Sequence, residues 1–472
     1  MYNNLSYYGN KTEKLGEGSY GSVYATDKGF AIKTEKFGYT DLLTASSLIE
    51  IATLRLLRDC PYIIPLVDAS VSSENSNIVM PLAKYSLHTL IGHESMHYNI
   101  KELFRKICLG VAHIHNNSIV HLDLKPDNIL IKNGTDVYIA DFGTCRHFIS
   151  QLKDGIPYTE AISLFYRPPE LLLMGNITFK ADIWSLGCIF ISMFIKKIPY
   201  SGTTEEQQLD NIFARTSSLT LADLDDSKYP NRITKLKSFL YGIPSGAVDL
   251  IIKMLYLNPN DRPTIFDVIN HPFLAGGYDN VPITITCHDI MLKTLYPKNG
   301  YNDSMLPLRK TVVEWMIEVA HEIKMSSQAL SLSVYLLDYY VWLVKFDDKY
   351  KFQLLSCSCM FVSMMLVDPQ YRSMDDFIFM TDYAYSHQIA SDFTLSMLMN
   401  IQFDIIKYTT VSFLEYYIGY RIDSNSAVKN LMHKSLIHPS VNFDYTAGEI
   451  AKAIYDHVQG VDIENKIIKL IM

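Results

Sequence analysis

Between His121 and Asn128 the chain reads His121-Leu122-Asp123-Leu124-Lys125-Pro126-Asp127-Asn128, and Asp141-Phe142-Gly143 follows soon after. A carboxylate, an ammonium and a carboxamide therefore stand at fixed offsets in one short polar segment, with a second carboxylate beyond it. Phosphoryl transfer asks for these groups. One carboxylate orients the attacking hydroxyl, a cation balances charge gathering on the moving phosphoryl, and an amide with another carboxylate holds Mg²⁺. A polar turn with a satisfied helix cap would explain the Asp and Asn alone. It leaves unexplained the elements found before and after them.

Those elements are the ones needed to position such groups. Residues 15–24, Leu15-Gly16-Glu17-Gly18-Ser19-Tyr20-Gly21-Ser22-Val23-Tyr24, put three glycines where a backbone must approach phosphates, between apolar residues that suit a hairpin. Phe30-Ala31-Ile32-Lys33 reads as a strand carrying one lysine. From Thr44 to Leu57, apolar residues at Leu48, Ile51, Leu54 and Leu57 have helical spacing, which sets Glu50 on a helix. Ile78-Val79-Met80-Pro81-Leu82 is an apolar strand followed by a break, and a helical pattern from Ile100 to His115 leads into the polar segment.

Taken together, these segments resemble the eukaryotic protein kinases, and the cyclin-dependent kinases among them, over residues 9–275. The resemblance implies an α+β bilobal protein kinase fold that uses ATP and Mg²⁺. It implies Asp123 as the group receiving the hydroxyl proton, Lys125 as the cation on the transferred phosphoryl, and Asn128 and Asp141 as metal ligands. Lys33 paired with Glu50 would place the phosphates, under a loop of Leu15, Gly16, Glu17, Gly18, Ser19, Tyr20 and Gly21. Val23, Ala31, Met80 and Leu82 would line the adenine side, although Met80 could equally be plain core. Lys125 stands where serine/threonine kinases carry lysine, with dual specificity as the alternative. Arg167, in Leu164-Phe165-Tyr166-Arg167-Pro168-Pro169-Glu170, resembles the arginine of proline-directed kinases, so Ser/Thr-Pro proteins are the implied substrates; a solvent-exposed loop arginine is the competing reading. Asp182 would brace the catalytic loop, Arg262 would pair with Glu170, and Tyr20, with Ser19, would be an inhibitory phosphorylation site, an unmodified aromatic lid being the alternative.

At 472 residues the chain is too long for one ordinary core, so two or three domains are expected. After a connector at 276–303, with a short helical piece near 289–295, strong helical periodicity begins. Val312, Trp315, Met316, Val319 and Ile323 form one apolar stripe, and further helices are predicted at about 328–344, 351–366, 374–386 and 388–402. Leu308-Arg309-Lys310-Thr311 through Val319, Leu336-Leu337-Asp338, Phe352-Gln353-Leu354-Leu355 and Gln402-Phe403-Asp404-Ile405 resemble a cyclin box in order and spacing, over 304–405. Residues 406–472 look like a partial second cyclin-like fold. The resemblance implies an all-α cyclin fold that contacts the kinase part, within one chain or between two. The lysine and glutamate with which cyclins hold kinase backbone fall here on Met365 and Thr394, so an apolar contact is expected. Leu308, Trp315, Glu318 and Gln353 resemble the groove that docks Arg-x-Leu peptides, with a core tryptophan as the alternative for Trp315. A connector of about 27 residues could extend roughly 90 Å, enough for contact within one chain.

Composition narrows the partners. With 48% hydrophobic and 19% charged residues the chain reads as a soluble globular protein. A net charge of −8 and a pI near 6.0 give no reason to expect nucleic acid. Seven scattered cysteines suit a reducing compartment, hence an intracellular protein, cytoplasmic or nuclear. The uncharged runs near Leu186–Ile195 and Leu354–Val367 read as too short to span a membrane. A catalytically idle decoy that sequesters cyclins or kinases is the rival reading, and the complete set of catalytic residues argues against it.

One departure from the family concerns regulation. Relatives grip a phosphothreonine of the activation segment with arginines from three places, which read Ile49, Leu122 and Arg146 here. One arginine holds a phosphate poorly compared with several charge-assisted hydrogen bonds. Thr159→Ala protein, prepared without any activating kinase, is therefore expected to phosphorylate a peptide at close to the parental rate. A collapse that is restored by Thr159 and its phosphorylation would show that Arg146 suffices.

Overall fold

A computed structural model describes residues 5–18, 21–36, 43–72, 75–93, 98–134, 136–147, 156–157, 163–213, 220–275, 301–302, 305–368, 370–419, 421–460 and 465–472. Ser19, Tyr20, Tyr158, Thr159 and the helical piece expected near 289–295 lie outside the described residues.

The N-terminal part begins with an antiparallel sheet of five strands in the order β1-β2-β3-β5-β4: β1 Lys11–Gly18, β2 Gly21–Thr26, β3 Phe30–Lys36, β4 Asp68–Val71 and β5 Asn75–Pro81. Gly18 pairs with Gly21 across the first hairpin. Gly21 has φ of 138°, and a Cβ there would sit 2.4 Å from the Thr34 carbonyl oxygen, so no other residue fits without moving β3. Between β3 and β4 runs helix α1, Ala45–Leu56, capped by the Thr44 side chain, which accepts the Ser47 N–H at 3.1 Å. Every residue from Ser47 to Leu54 on this helix is buried. A helix lying on a sheet normally leaves one face in water, so α1 must be covered on its outer side as well.

A helical lobe follows. Helix α2, Ile100–Asn116, runs beside α3, Lys180–Ile195, and the Phe104 and Phe190 rings stack between them at 3.8 Å. From Ala181 to Met193 α3 is buried without interruption, as expected of a helix apolar on all sides. The chain between α2 and α3 forms the short β-hairpin of Ile129–Asn133 and Asp136–Ile139. Arg262 is fully buried and grips Glu170 with two hydrogen bonds of 2.7 Å, joining the lobe's last third to the end of its long loop.

The C-terminal part is all helical: α4 Leu306–Glu322, α5 Ser327–Val344, α6 Phe352–Val367, α7 Met374–Met380 and α8 His387–Asn400, then α9 Thr410–Ile418, α10 Ser426–Ile437, α11 Pro439–Asp444, α12 Ala447–Val458 and α13 Lys466–Ile471. Helix α6 is the hub, packed by α4, α5, α7 and α8. It carries no charged residue. Ser356 and Ser358 donate back to the carbonyls of Phe352 and Leu354, which lets hydroxyls sit in an apolar core. With its preceding turn, this stretch (Lys349–Val367) is 19 residues long and apolar enough to cross a membrane by length and composition. The expectation that it is too short is therefore corrected. It is nevertheless 78% buried among its neighbours, as a core helix is.

The helix expected over 374–386 ends at Met380 instead. Thr381 Oγ1 donates to the Ile378 carbonyl, Asp382 and Tyr383 turn into left-handed backbone, and Ser386 caps a new helix at His387. On α4, Val312, Met316 and Val319 are buried, as is Ile323 just past its end, while Trp315 is only half-buried. Arg309 and Asp338, both buried, pair at 2.7 Å, and Arg309 also donates to the carbonyls of Leu436 and Ile437. That pair fastens the first helices of this part to α10.

Candidate active site

Lys33 projects from the middle of β3, where it pairs in register with Ile78 of β5. Its ammonium lies 2.6 Å from Glu50 of α1 and 2.8 Å from Asp141. Burial pushes Lys33 downward, but the two carboxylates outweigh it and hold the group above its ordinary value, so it stays protonated. Burial also pushes the Asp141 carboxyl upward, and Lys33 more than reverses that, keeping it below the usual carboxylate range. For Glu50 burial prevails over Lys33 and raises the carboxyl. Its 2.6 Å contact with the protonated Lys33 is that of an ion pair.

The polar segment closes beneath. Lys125 Nζ lies 2.6 Å from Asp123 Oδ2 and 2.9 Å from Ser163 Oγ. The Ser163 N–H donates to Asp123 Oδ1 at 3.1 Å, and Asn128 donates to the Asp123 carbonyl and carboxylate at 2.8 and 3.1 Å. Asp123 is thereby held by three residues from two stretches of chain. Ser163 escaped the sequence reading; the only signal was a hydroxyl shortly before Leu164–Pro168.

Two members of this region have left-handed backbone, Leu122 at φ 70° and Asp141 at φ 67°. Non-glycine residues in that region cost on the order of 1–3 kcal/mol and persist only where surroundings enforce them. At Leu122 the enforcement comes from Asp182 of α3: its carboxylate accepts the N–H groups of His121 and Leu122, each at 2.9 Å, and meets His115 Nε2 at 2.8 Å. The Leu122 side chain packs with Val120, Leu171, Ile177 and Ala181. Phe142 is fully buried against the His121 ring, with centroids 4.9 Å apart.

Gly16 has open space where a side chain would be. Ala31 and Met80 are buried and paired across strands, while Leu15 and Leu82 are exposed at the edge and Val23 is half-buried. The Glu17 side chain turns to solvent and pairs with Lys14 at 2.8 Å, so it does not join the cluster. Arg167 is buried and ion-paired with Glu205. Residues 158–162 beside it lie outside the described residues.

Helix α6 supplies the outer cover of α1. Arg55 of α1 donates to Gln402 Oε1 at 3.0 Å, and the Tyr408 hydroxyl donates to the Asn117 carbonyl at 3.2 Å. Met365 and Thr394 are buried, and the Thr394 hydroxyl is satisfied within its own bundle by Ala390 O and Ser358. The helix that carries Glu50 therefore lies between the sheet and the C-terminal bundle.

Replacing Asp182 by Asn removes the charge that two buried N–H groups and His115 rely on. Hydrogen bonds to charged groups contribute about 1.5–3 kcal/mol each, so kcat is expected to fall by roughly tenfold to a hundredfold in a peptide assay. Burial raises the Asp182 carboxyl, but the His115 contact and the backbone donors outweigh that and hold it below its ordinary 3.8. A depressed native value means this contribution is complete at neutral pH and is lost only as pH falls below 3.8 towards the native value. An Asp182→Asn protein with parental kcat would contradict the bracing role.

The family model described as "Protein kinase domain" matches residues 9–274, and the one described as "Cyclin, N-terminal domain" matches residues 288–406. The chain is 31% identical over 281 residues to the "Probable CTD kinase subunit alpha homolog" of Encephalitozoon cuniculi, covering 56% of this chain and 83% of that protein. It is 31% identical over 307 residues to the "Probable serine/threonine-protein kinase KIN28 homolog" of the same organism, covering 58% and 97%. It is 31% identical over 291 residues to "Cyclin-dependent kinase 7" of Dictyostelium discoideum, covering 56% and 78%. Among solved structures, a chain from the CAK complex of Chaetomium thermophilum bound to ATP-gamma-S is similar with a TM-score of 0.49 at 29% identity, over 58% of this chain and 94% of that one. The chain thus belongs to the protein kinase family, as a serine/threonine kinase of the cyclin-dependent-kinase type with a cyclin domain on the same polypeptide.

Proposed function

We propose that this kinase moves the γ-phosphoryl of ATP to Ser or Thr hydroxyls followed by proline, and that its own cyclin domain holds it in the active arrangement. The observation that carries the reading is Lys33 seated between Glu50 and Asp141, with Asp123, Lys125 and Asn128 assembled beneath. Asp123 takes the hydroxyl proton as the substrate oxygen bonds to the γ-phosphorus and the bond to ADP breaks. Lys125, already 2.6 Å from Asp123, lays its charge beside the transferred group. Lys33 places the nucleotide phosphates, and the open backbone at Gly16 lets them come close.

The oxygens of Asp141 and Asn128 suit Mg²⁺, which takes hard oxygen donors. Both Asn128 amide hydrogens point to Asp123, which leaves its carbonyl oxygen as an acceptor, and Asp141 has one oxygen on Lys33. The chemistry such an ion supplies is neutralisation of charge between phosphate groups.

Proline preference rests on the resemblance of Arg167, here buried and paired with Glu205, to the arginine of proline-directed kinases. Proline has no N–H left in need of a partner there. A second contact for substrates is the face of α4, where Leu308 and Trp315 are half-buried beside the exposed Glu318, as a groove for Arg-x-Leu peptides requires.

Purified protein is expected to phosphorylate a Ser-Pro peptide with ATP and Mg²⁺, and a matched Ser-Ala peptide far less. Asp141→Asn should lose activity by orders of magnitude. Near-parental activity in that variant would defeat the catalytic assignment, and equal use of both peptides would defeat the proline preference.

A further inference from the structure

Behind the charged cluster, α1 is tied to the following segment a second time, by groups that carry no charge. Thr53 lies one turn beyond Glu50 on α1 and is fully buried. Its hydroxyl lies 3.0 Å from His147 Nε2 and 3.3 Å from Cys145 Sγ, and the thiol and the ring nitrogen are 3.7 Å apart. His147 in turn pairs with Ile119, and Arg146 with Val120, in the short strand that leads into His121. One three-residue contact therefore joins the helix that carries Glu50, the segment that starts at Asp141 and the entry to the catalytic loop.

The chemistry favours one direction of donation. Burial pushes His147 down to about 3 and Cys145 up to about 12, so imidazole and thiol are both neutral at physiological pH. Among the described residues His147 Nδ1 is buried with no partner. A buried N–H without an acceptor is rarer and costlier than an idle lone pair, which assigns the ring proton to Nε2. Nε2–H then donates to the Thr53 oxygen, and the Thr53 hydroxyl donates to the Cys145 sulfur.

Among the described residues, the surroundings lack what would make a phosphate useful here. Ile49 is buried among apolar groups, Leu122 packs in its own apolar cluster, and Arg146 donates to the carbonyls of Thr144 and Cys145. We infer that Thr53, His147 and Cys145 form an uncharged latch that fixes the rotation of α1 against the Asp141 segment, and so keeps Glu50 and Asp141 on Lys33 without an activation-segment phosphate. Two attachment points on one helix face fix an orientation that the Lys33 ion pairs alone leave free to rock. Thr53 and His147 are positioning residues, since neither reaches the reacting atoms.

The inference rests on the kinase reading above, and its test separates the two. In the full-length protein, Thr53→Val keeps the shape and removes the hydroxyl, while His147→Phe keeps a ring and removes its nitrogens. Each is expected to lower kcat at least fivefold with peptide KM changed less than twofold. The double variant should be no worse than the weaker single one within twofold, and His147→Gln, whose amide N–H reaches the same place, should recover at least half of the lost kcat. Hydrogen exchange of the Ala45–Leu56 amides should quicken in both single variants. Parental kcat with unchanged exchange, or effects that multiply in the double variant, would overturn the latch. If the parent protein proved inactive, the kinase reading would fail, and unchanged exchange in Thr53→Val would overturn the latch independently.

Discussion

One ammonium, Lys33 Nζ, lies between a carboxylate on α1 and a carboxylate just past the catalytic loop. The Glu50 side chain is only 2% exposed. Removing one partner from such a buried pair leaves an uncompensated charge and costs about 3–5 kcal/mol, so the pair fixes where α1 must lie. A charge in that setting also demands rigid surroundings. The sheet holds Lys33 in register, the Thr44 cap starts α1 at a set point, and Asp182 holds the backbone from which the catalytic loop departs. Each of these supports the same few ångströms of geometry.

The outer side of α1 is covered by the C-terminal bundle. Eight consecutive buried residues on a single helix need a cover, and α6 provides it with a surface free of formal charge. The positions where cyclins are expected to offer lysine and glutamate hold Met365 and Thr394, both buried. Losing both together leaves no lone charge behind. Packing of α6 on α1 is joined by hydrogen bonds from Arg55 to Gln402 and from Tyr408 to the Asn117 carbonyl, and the tether between the two parts keeps them at high effective concentration. A contact that would be weak between separate chains can then stay occupied.

The sequence carried the site further than it carried the scaffold. Asp123, Lys125, Asn128 and Asp141 sit in short stretches whose spacing is local, and Lys33 and Glu50 could be paired because strand and helix patterns surround them. Glu17 was drawn in by its place in the glycine loop, but its side chain pairs with Lys14 in solvent. Ser163, Thr53 and His147 were missed because their partners are distant in the chain: Ser163 meets Asp123 40 positions away, and Thr53 meets His147 across 94. Periodicity likewise ran one helix through 374–386, since no glycine or proline marks the left-handed turn at Asp382 and Tyr383. Family resemblance identified the kinase and cyclin parts; tertiary contact decided how α1 is held.

Kinase and cyclin domain meet within one polypeptide, and the proposed role of that contact is to sustain activity. Its most direct test is the specific activity of full-length protein, with no added cyclin, over a dilution from micromolar to low nanomolar. A contact within the chain is independent of concentration, so the expected result is a constant specific activity across the whole range. Activity that falls on dilution, or that emerges only when a separate cyclin is supplied, would contradict it.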